Sequence, residues 1–121
     1  MQSLLLQDLI TIRAAGSQSV IQSPTSWLDL GDLEDVAIFT DVRETSGSIQ
    51  MSIETAAAAQ ESAFVTLVPS FTVATGIRTE VVTAYLAKVP PARYLRWHLS
   101  TDPAGSGDAT FRIWVAAYGW A

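Results

Sequence analysis

The fold that this sequence predicts is decided by the stretch Arg93-Tyr94-Leu95-Arg96-Trp97-His98-Leu99. Large apolar residues occupy every second position, so an extended chain directs Leu95, Trp97 and Leu99 to one face. The same alternation returns in Thr110-Phe111-Arg112-Ile113-Trp114-Val115. This period of two is typical of strands that bury one face in a core. The turn-rich residues 101–108 between them therefore predict a hairpin with a long loop.

The opposite faces of these two strands carry polar and aromatic side chains, with Tyr94, Arg96 and His98 on the first strand and Arg112 and Trp114 on the second. If the strands pair, these groups form one cationic and aromatic patch. Arginine and tryptophan are enriched among residues that dominate interface energies, so we predict that Arg96, Arg112 and Trp114 belong to an interface. The alternative is that the arginines only lie over the sheet with their heads in water.

Short strands recur along the rest of the chain and alternate with turn residues. The pattern predicts strands at residues 19–22, 27–30, 35–42, 48–55, 64–68, 71–75 and 80–88. No stretch predicts a convincing helix. Eight or nine strands at this spacing indicate an all-β protein, an antiparallel two-sheet β-sandwich that is jelly-roll-like. An immunoglobulin-like sandwich is the alternative.

The N-terminal residues 1–15 differ from the rest because they are rich in leucine without clean alternation. Leu5, Leu6, Leu9 and Ile12 would share one face of a helix, but we favour an extended arm. Residues 16–121 are predicted to form a single β-sandwich domain. The apolar residues of the arm would be poorly placed in water, so we expect it to dock on a neighbouring subunit or larger particle. The interface residues predicted in the arm are Leu4, Leu5, Leu6, Leu9 and Ile10.

The composition predicts association. Hydrophobic residues make up 49% of the 121 residues and charged residues only 16%, against about 25% in average soluble proteins. A surface short of charge indicates that other copies or a partner cover part of it, although a monomer with a surface of Ser, Thr, Gln and Ala is the alternative. A net charge of −5 with a single lysine, Lys88, argues against nucleic-acid binding. No apolar run reaches the roughly 20 residues of a membrane-spanning helix.

Residues that carry chemistry are scarce. The chain has no cysteine, and its one histidine, His98, lies in the middle of a predicted strand with no nucleophile motif anywhere in the sequence. We therefore predict no enzymatic activity and no cofactor. The acidic residues 29–35 are the best place for a calcium ion, but their spacing matches no EF-hand template, and we predict no metal site there.

Several strand stretches together resemble small β-sandwich decoration or cement proteins of tailed bacteriophage capsids. These are Trp27-Leu28-Asp29-Leu30-Gly31, residues 48–55, Ala92-Arg93-Tyr94-Leu95-Arg96-Trp97 and residues 109–115. The resemblance implies a structural virion protein, often a homotrimer, that binds the major capsid protein or another virion protein on the outer shell and stabilises capsomer contacts without covalent bonds. The alternative function is a carbohydrate-binding module of a secreted or phage-tail assembly, because exposed aromatic rings stack on sugars.

Overall fold

The computed structural model describes residues 2–16, 19–84, 87, 89–101 and 105–119, and nine strands account for most of them. The strands are β1 (Gln2–Ala15), β2 (Ser19–Ile21), β3 (Leu28–Asp29), β4 (Asp35–Gly47), β5 (Ile49–Ala56), β6 (Val65–Thr72), β7 (Gly76–Val82), β8 (Tyr94–Thr101) and β9 (Ser106–Tyr118). Two single-turn 3₁₀ helices, Pro24–Ser26 and Glu61–Ala63, lie in the connections. No helix within these residue ranges is long and apolar enough to cross a membrane.

The strands form two antiparallel sheets. Sheet A has the order β1-β9-β4-β7, and sheet B has the order β2-β8-β5-β6, with β3 also pairing with β8. Because β2 and β3 pair with different parts of β8, they act as one interrupted strand. Each sheet then has four strands, and the chain crosses repeatedly between the sheets, which is jelly-roll architecture. The predicted β-sandwich fold class is confirmed.

The core lies between the sheets and contains the predicted inward faces. Leu95, Trp97 and Leu99 of β8 are buried, as are Phe111, Ile113 and Val115 of β9. The rings of Trp97 and Phe111 meet edge to face with their centroids 5.4 Å apart. Apolar contacts thus join the two layers across the interior.

The predicted hairpin of these two strands is wrong. β8 pairs with β2, β3 and β5 in sheet B, whereas β9 pairs with β1 and β4 in sheet A. Two strands with one apolar face each can bury these faces equally well as neighbours in one sheet or as opposing strands in two packed sheets. The alternation of apolar residues therefore identifies the buried faces but not the pairing.

The expectation of an arm that leaves its own sandwich is also corrected. Residues 2–15 are extended, but they form β1, which pairs with β9 from Gln2↔Ala117 to Ala15↔Ser106. Two register shifts between Leu5 and Ile10 turn Asp8 towards water and let Gln7 reach the interior, where its Oε1 accepts a hydrogen bond from Trp97 Nε1 at 2.9 Å. These bulges break the alternation, which is why the sequence pattern did not indicate a sheet strand.

Two further strand predictions differ from the structure near the edges of the sheets. The segments predicted at 64–68 and 71–75 are one strand, β6, and Pro69 is accommodated within it because β6 is an edge strand whose outer backbone groups need no partner. The strand predicted at 80–88 ends at Val82 and instead begins at Gly76. Residues 85, 86 and 88 of that prediction lie outside the described residues.

Candidate interface on the outer face of sheet A

Strand register places a set of side chains on the face of sheet A that points away from the core. One row crosses all four strands at Leu5, Trp114, Phe39 and Thr79, which are paired in that order. The neighbouring rows add further members of this face, namely Ala37, Asp41, Ile77, Val81, Arg112, Ala116 and Tyr118, and we include Leu9, which is exposed in the irregular part of β1 between Gln7 and Ile10. We call this set the outer face of sheet A.

The outer face of sheet A is apolar and uncovered. Seven large hydrophobic residues are exposed in the described part of the chain, and six of them lie on this face: Leu5, Leu9, Ile77, Val81, Trp114 and Tyr118. Ile77 is 70% exposed, Val81 67% and Trp114 41%. Burying such surface is worth about 25 cal/mol per Å². A concentration of exposed apolar residues on one face is typical of an interaction surface.

Charged groups on this face are paired with one another. Arg112 Nε donates to Asp41 Oδ2 at 3.0 Å, and Arg43 Nε lies 3.2 Å from the same oxygen. The Asp41 side chain is largely buried, while that of Arg112 is about one-third exposed. The ion pairs hold the head of Arg112 against Asp41, and because two arginines share this one carboxylate, one positive charge is in excess beside the apolar rows.

The outer face of sheet B is different because a connection of the same chain covers it. Arg96 is only 3% exposed. Its Nε donates to Glu54 Oε1 at 2.8 Å, its Nη1 donates to Glu61 Oε2 at 2.5 Å, and its guanidinium lies 3.9 Å from the centre of the Phe64 ring. Trp27 packs edge to face against Phe64 with a centroid distance of 4.7 Å. Arg96 is therefore an internal residue, and the structure gives it no free surface for an interface.

The predicted single patch is consequently split. Arg96 and His98 lie on the outer side of sheet B, where His98 Nδ1 is 3.4 Å from Glu54 Oε2. Arg112 and Trp114 lie on the outer side of sheet A, at the opposite surface of the sandwich. Because β8 and β9 belong to different sheets, their outward residues point in opposite directions.

The predicted interface residues of the arm also divide between the two sides of β1. Leu6 is buried in the core, and Leu4 and Ile10 are partly buried and pack against the core. Leu5 and Leu9 remain exposed on the outer face of sheet A. Two of the five residues are thus available to a partner.

Sequence reasoning missed other members of the outer face of sheet A. Phe39 lies beside Trp114 on β4, while Ile77 and Val81 lie on β7. The signal was present, since Ile77, Thr79 and Val81 alternate with Arg78 and Glu80. We predicted no strand at residues 76–79, whereas β7 begins at Gly76.

The acidic residues 29–35 are engaged by the protein itself. Asp29 accepts two hydrogen bonds from Arg93, at 3.0 and 3.1 Å, and one from the Gly31 N–H at 2.8 Å. The Arg93 guanidinium, followed by the Gly31 N–H, lowers the pKa of the Asp29 carboxyl group below its ordinary value. Asp35 accepts from the Ala84 N–H. Within the described ranges, no group of three or more acidic or histidine side chains is arranged to hold a metal ion.

Comparison with known proteins yields matches of structure only. No protein-family model matches the chain, and no curated protein matches its sequence. A chain from the structure of infectious bursal disease virus, Gx strain, matches with a TM-score of 0.51 and 9% identity, over 94% of this chain and 30% of the viral one. The shared feature is the fold. The present chain thus spans about a third of the length of the viral chain.

Two other solved structures match with lower TM-scores. One is a pilus protein from Bacillus endospore appendages, with a TM-score of 0.42, 14% identity and coverage of 98% of this chain and 93% of that one. The other is a family 11 carbohydrate-binding module from Clostridium thermocellum in complex with a mixed-linked tetrasaccharide. Its TM-score is 0.44, with 8% identity and coverage of 98% and 85%. Neither score is high enough to support an argument about function.

Proposed function

We propose that this chain is a structural virion protein that attaches to the outer shell of a bacteriophage capsid through the outer face of sheet A. The observation that carries the proposal is the concentration of six of the seven exposed large hydrophobic residues of the described chain on one sheet face. The viral fold match and the strand resemblance to capsid decoration proteins support the same class. Catalysis has no part in this proposal, and His98 serves as a partner of Glu54.

The size of the face suits a contact that is repeated many times. Four strands about 4.8 Å apart and about seven residues long, at about 3.3 Å per residue, cover roughly 450 Å². A stable interface between two proteins buries about 800 Å² on each partner. A single outer face of sheet A therefore gives a modest affinity, and firm attachment follows when several linked copies bind a regular shell together.

The test uses capsids of the phage whose genome encodes this chain, assembled without it, to which the purified chain is added. We expect saturable decoration, with Trp114→Ser weakening it about 25-fold, because truncation of a central interface tryptophan costs about 2 kcal/mol. Val81→Ser should weaken it less. The control is Val65→Ser, since Val65 is also an exposed valine, at 51% against 67% for Val81, and lies on an edge strand of sheet B.

The result that contradicts the proposal is equally specific. If the chain does not bind these capsids, the capsid assignment is wrong. If it binds and Val65→Ser weakens decoration as much as Val81→Ser does, the chain is a capsid protein but its contact is not the outer face of sheet A.

A second candidate function rests on the surroundings of Trp114. An exposed indole whose strand neighbour is the Arg112–Asp41 ion pair combines a stacking surface with hydrogen-bonding groups, as sugar-binding sites do. On this hypothesis the chain is a carbohydrate-binding module of a secreted or tail-associated assembly. A glycan array separates the two functions: binding by the parent that is lost in Trp114→Ser supports the carbohydrate hypothesis, and a blank array supports the protein contact.

A further inference from the structure

The sandwich has edge strands that differ in how well they are protected from pairing with another chain. β1 carries two register shifts, β6 carries two shifts and Pro69, and β2 and β3 are very short. Bulges, proline, shortness and charged side chains are the usual means of blocking an edge. Among the described edges, β7 has neither a bulge nor a proline, because it pairs with β4 without interruption from Val36↔Val82 to Val42↔Gly76, and its charged residues are Arg78 and Glu80.

The free side of β7 is accessible. β7 is the last strand of sheet A, and a groove of about 700 Å³ separates it from the edge of sheet B, with Leu67, Pro69 and Val82 among its lining residues. In an antiparallel strand, alternate residues direct their N–H and C=O groups away from the neighbour on one side. Half of the backbone groups of β7 therefore face this open side and are able to pair with an added strand.

The sequence of β7 is complementary to its own reverse. In Gly76-Ile77-Arg78-Thr79-Glu80-Val81-Val82, the residues one and two positions from Thr79 on either side have complementary or matching chemistry. If two copies run antiparallel with Thr79 at the centre, Arg78 lies opposite the partner's Glu80 and Ile77 lies opposite the partner's Val81. Opposite charges, apolar pairs and threonine pairs are the cross-strand combinations that stabilise antiparallel sheets.

We propose that two copies of this chain associate by antiparallel pairing of their β7 strands about a two-fold axis at Thr79. The two copies of sheet A then form one continuous sheet of eight strands, twice the four of a single copy. A two-fold axis of this kind is perpendicular to the sheet, so both outer faces lie on the same side. Ile77 and Val81, the most exposed of the large hydrophobic residues, are brought to the centre of the joined surface.

The charges on β7 explain why the partner is a second copy. Arg78 Nη2 and Glu80 Oε1 are 3.7 Å apart within the chain, and the Arg78 guanidinium lies 4.2 Å from the centre of the Phe71 ring, but both side chains remain partly exposed at the edge. An arbitrary added strand would not place an opposite charge beside each of them. A reversed copy of β7 matches both, and such selective charge placement excludes wrong partners while permitting the correct one.

The test uses two single charge reversals, Arg78→Glu and Glu80→Arg. Each places two like-charge pairs across the two-fold axis, so each variant alone should dimerise about tenfold more weakly than the parent or worse. An equimolar mixture should form the heterodimer, because both charged positions are then acidic on one chain and basic on the other, and every pair across the axis joins opposite charges. Mixing cannot repair a contact within one chain, so recovery reports pairing between chains.

Native mass spectrometry gives the readout, because it resolves the two homodimers and the heterodimer by mass. Circular dichroism and thermal unfolding first establish that both variants fold, as expected for half-exposed side chains at an edge. Failure of the mixture to associate overturns the proposal, and so does a parent that is a monomer or the trimer implied by the resemblance. None of these outcomes bears on whether the outer face of sheet A binds capsids.

A covalent test follows from the absence of cysteine in the chain. Thr79→Cys introduces one thiol opposite its own copy, at a separation that a disulfide spans, so mild oxidation should give a covalent dimer in high yield. The matched control is Thr72→Cys, an exposed threonine on the edge strand β6. Equal crosslinking of the two variants would show random collision and contradict the proposed pairing.

Discussion

The outer faces of the two sheets both carry arginine and aromatic side chains, but these are covered on sheet B and exposed on sheet A. On sheet B, Arg96 and its neighbours lie beneath the β5–β6 connection, which brings Glu61 and Phe64 over them. On sheet A, Trp114, Ile77 and Val81 stay exposed. The β5–β6 connection has eight residues, 57–64, whereas Ser48 alone joins β4 to β5. A long connection is able to fold back and cover a sheet face, while a short one serves only to join two strands.

Whether the chain covers an arginine or aromatic residue therefore decides whether that residue contributes to the stability of the fold or is available to a partner. Under the connection, Arg96 has two carboxylate partners and a ring on which to stack, so it contributes to stability. In the open, Trp114 keeps 41% of its surface exposed and remains available to a partner. The two faces should respond oppositely to mutation, with sheet B affecting the free energy of unfolding and sheet A affecting association.

The largest effect is expected for Arg96→Ala. This change removes the arginine partner of the mostly buried Glu54 carboxylate, which keeps only His98, and it removes the cation stacked on Phe64. Breaking such a pair costs about 3 kcal/mol, which lowers the melting temperature of a chain of this size by about 10 °C. Thermal unfolding monitored by circular dichroism measures the change in melting temperature. Arg13→Ala is the control, because the Arg13 side chain is 86% exposed. Equal melting temperatures for the two variants would remove the distinction between the faces.

A smaller effect is expected for Asp41→Asn on sheet A. The variant removes the charge that Arg112 and Arg43 share, although an amide oxygen can still accept a hydrogen bond. Since both arginines keep access to water, the loss should be about 1 kcal/mol or less. Urea unfolding measures this loss in the free energy of unfolding. A loss as large as that of Arg96→Ala would mean that sheet A depends on its outer ion pairs as much as sheet B does.

The smallest effect is expected for the exposed ion pair of Asp29 and Arg93, which lies outside both the outer face of sheet A and the residues around Arg96. The pKa of Asp29 is lowered by Arg93, so the ionised carboxylate is favoured in the folded state. The stabilisation of the fold by the ionised Asp29 is fully present above the pKa of this group in the unfolded chain, about 4. It is lost as the pH falls through the lower pKa of Asp29 in the folded state. Asp29→Asn should thus be slightly less stable than the parent at pH 7, and the difference should vanish near pH 2. Melting temperatures at both pH values measure it, and a difference that grows in acid would contradict the assignment.

How much of the interface was predictable depends on the strand. Trp114 was identified correctly as an outward residue because β9 alternates without interruption around it. The same rule correctly placed the Arg96 side chain on the side of β8 that faces away from the core. Alternation along one strand cannot show, however, that the β5–β6 connection covers this side chain. Leu5 and Leu9 were grouped with Leu6 because the bulges in β1 obscure which residues share a side. The prediction of no enzymatic activity and the expected capsid partner stay predictions.

The sequence by itself determined which residues of β8 and β9 face the core and that the protein is a two-layer β-sandwich. Side chains of an extended chain alternate in direction with a period of two, and this property is local, so Leu95, Trp97, Phe111 and Ile113 reveal their buried side from their neighbours alone. Only the tertiary structure decided that β8 and β9 belong to different sheets, that β1 joins sheet A and that Arg96 is covered while Trp114 is not. These outcomes depend on hydrogen bonds and contacts between residues far apart in the chain, and the many pairings compatible with one pattern of alternation differ only in such contacts.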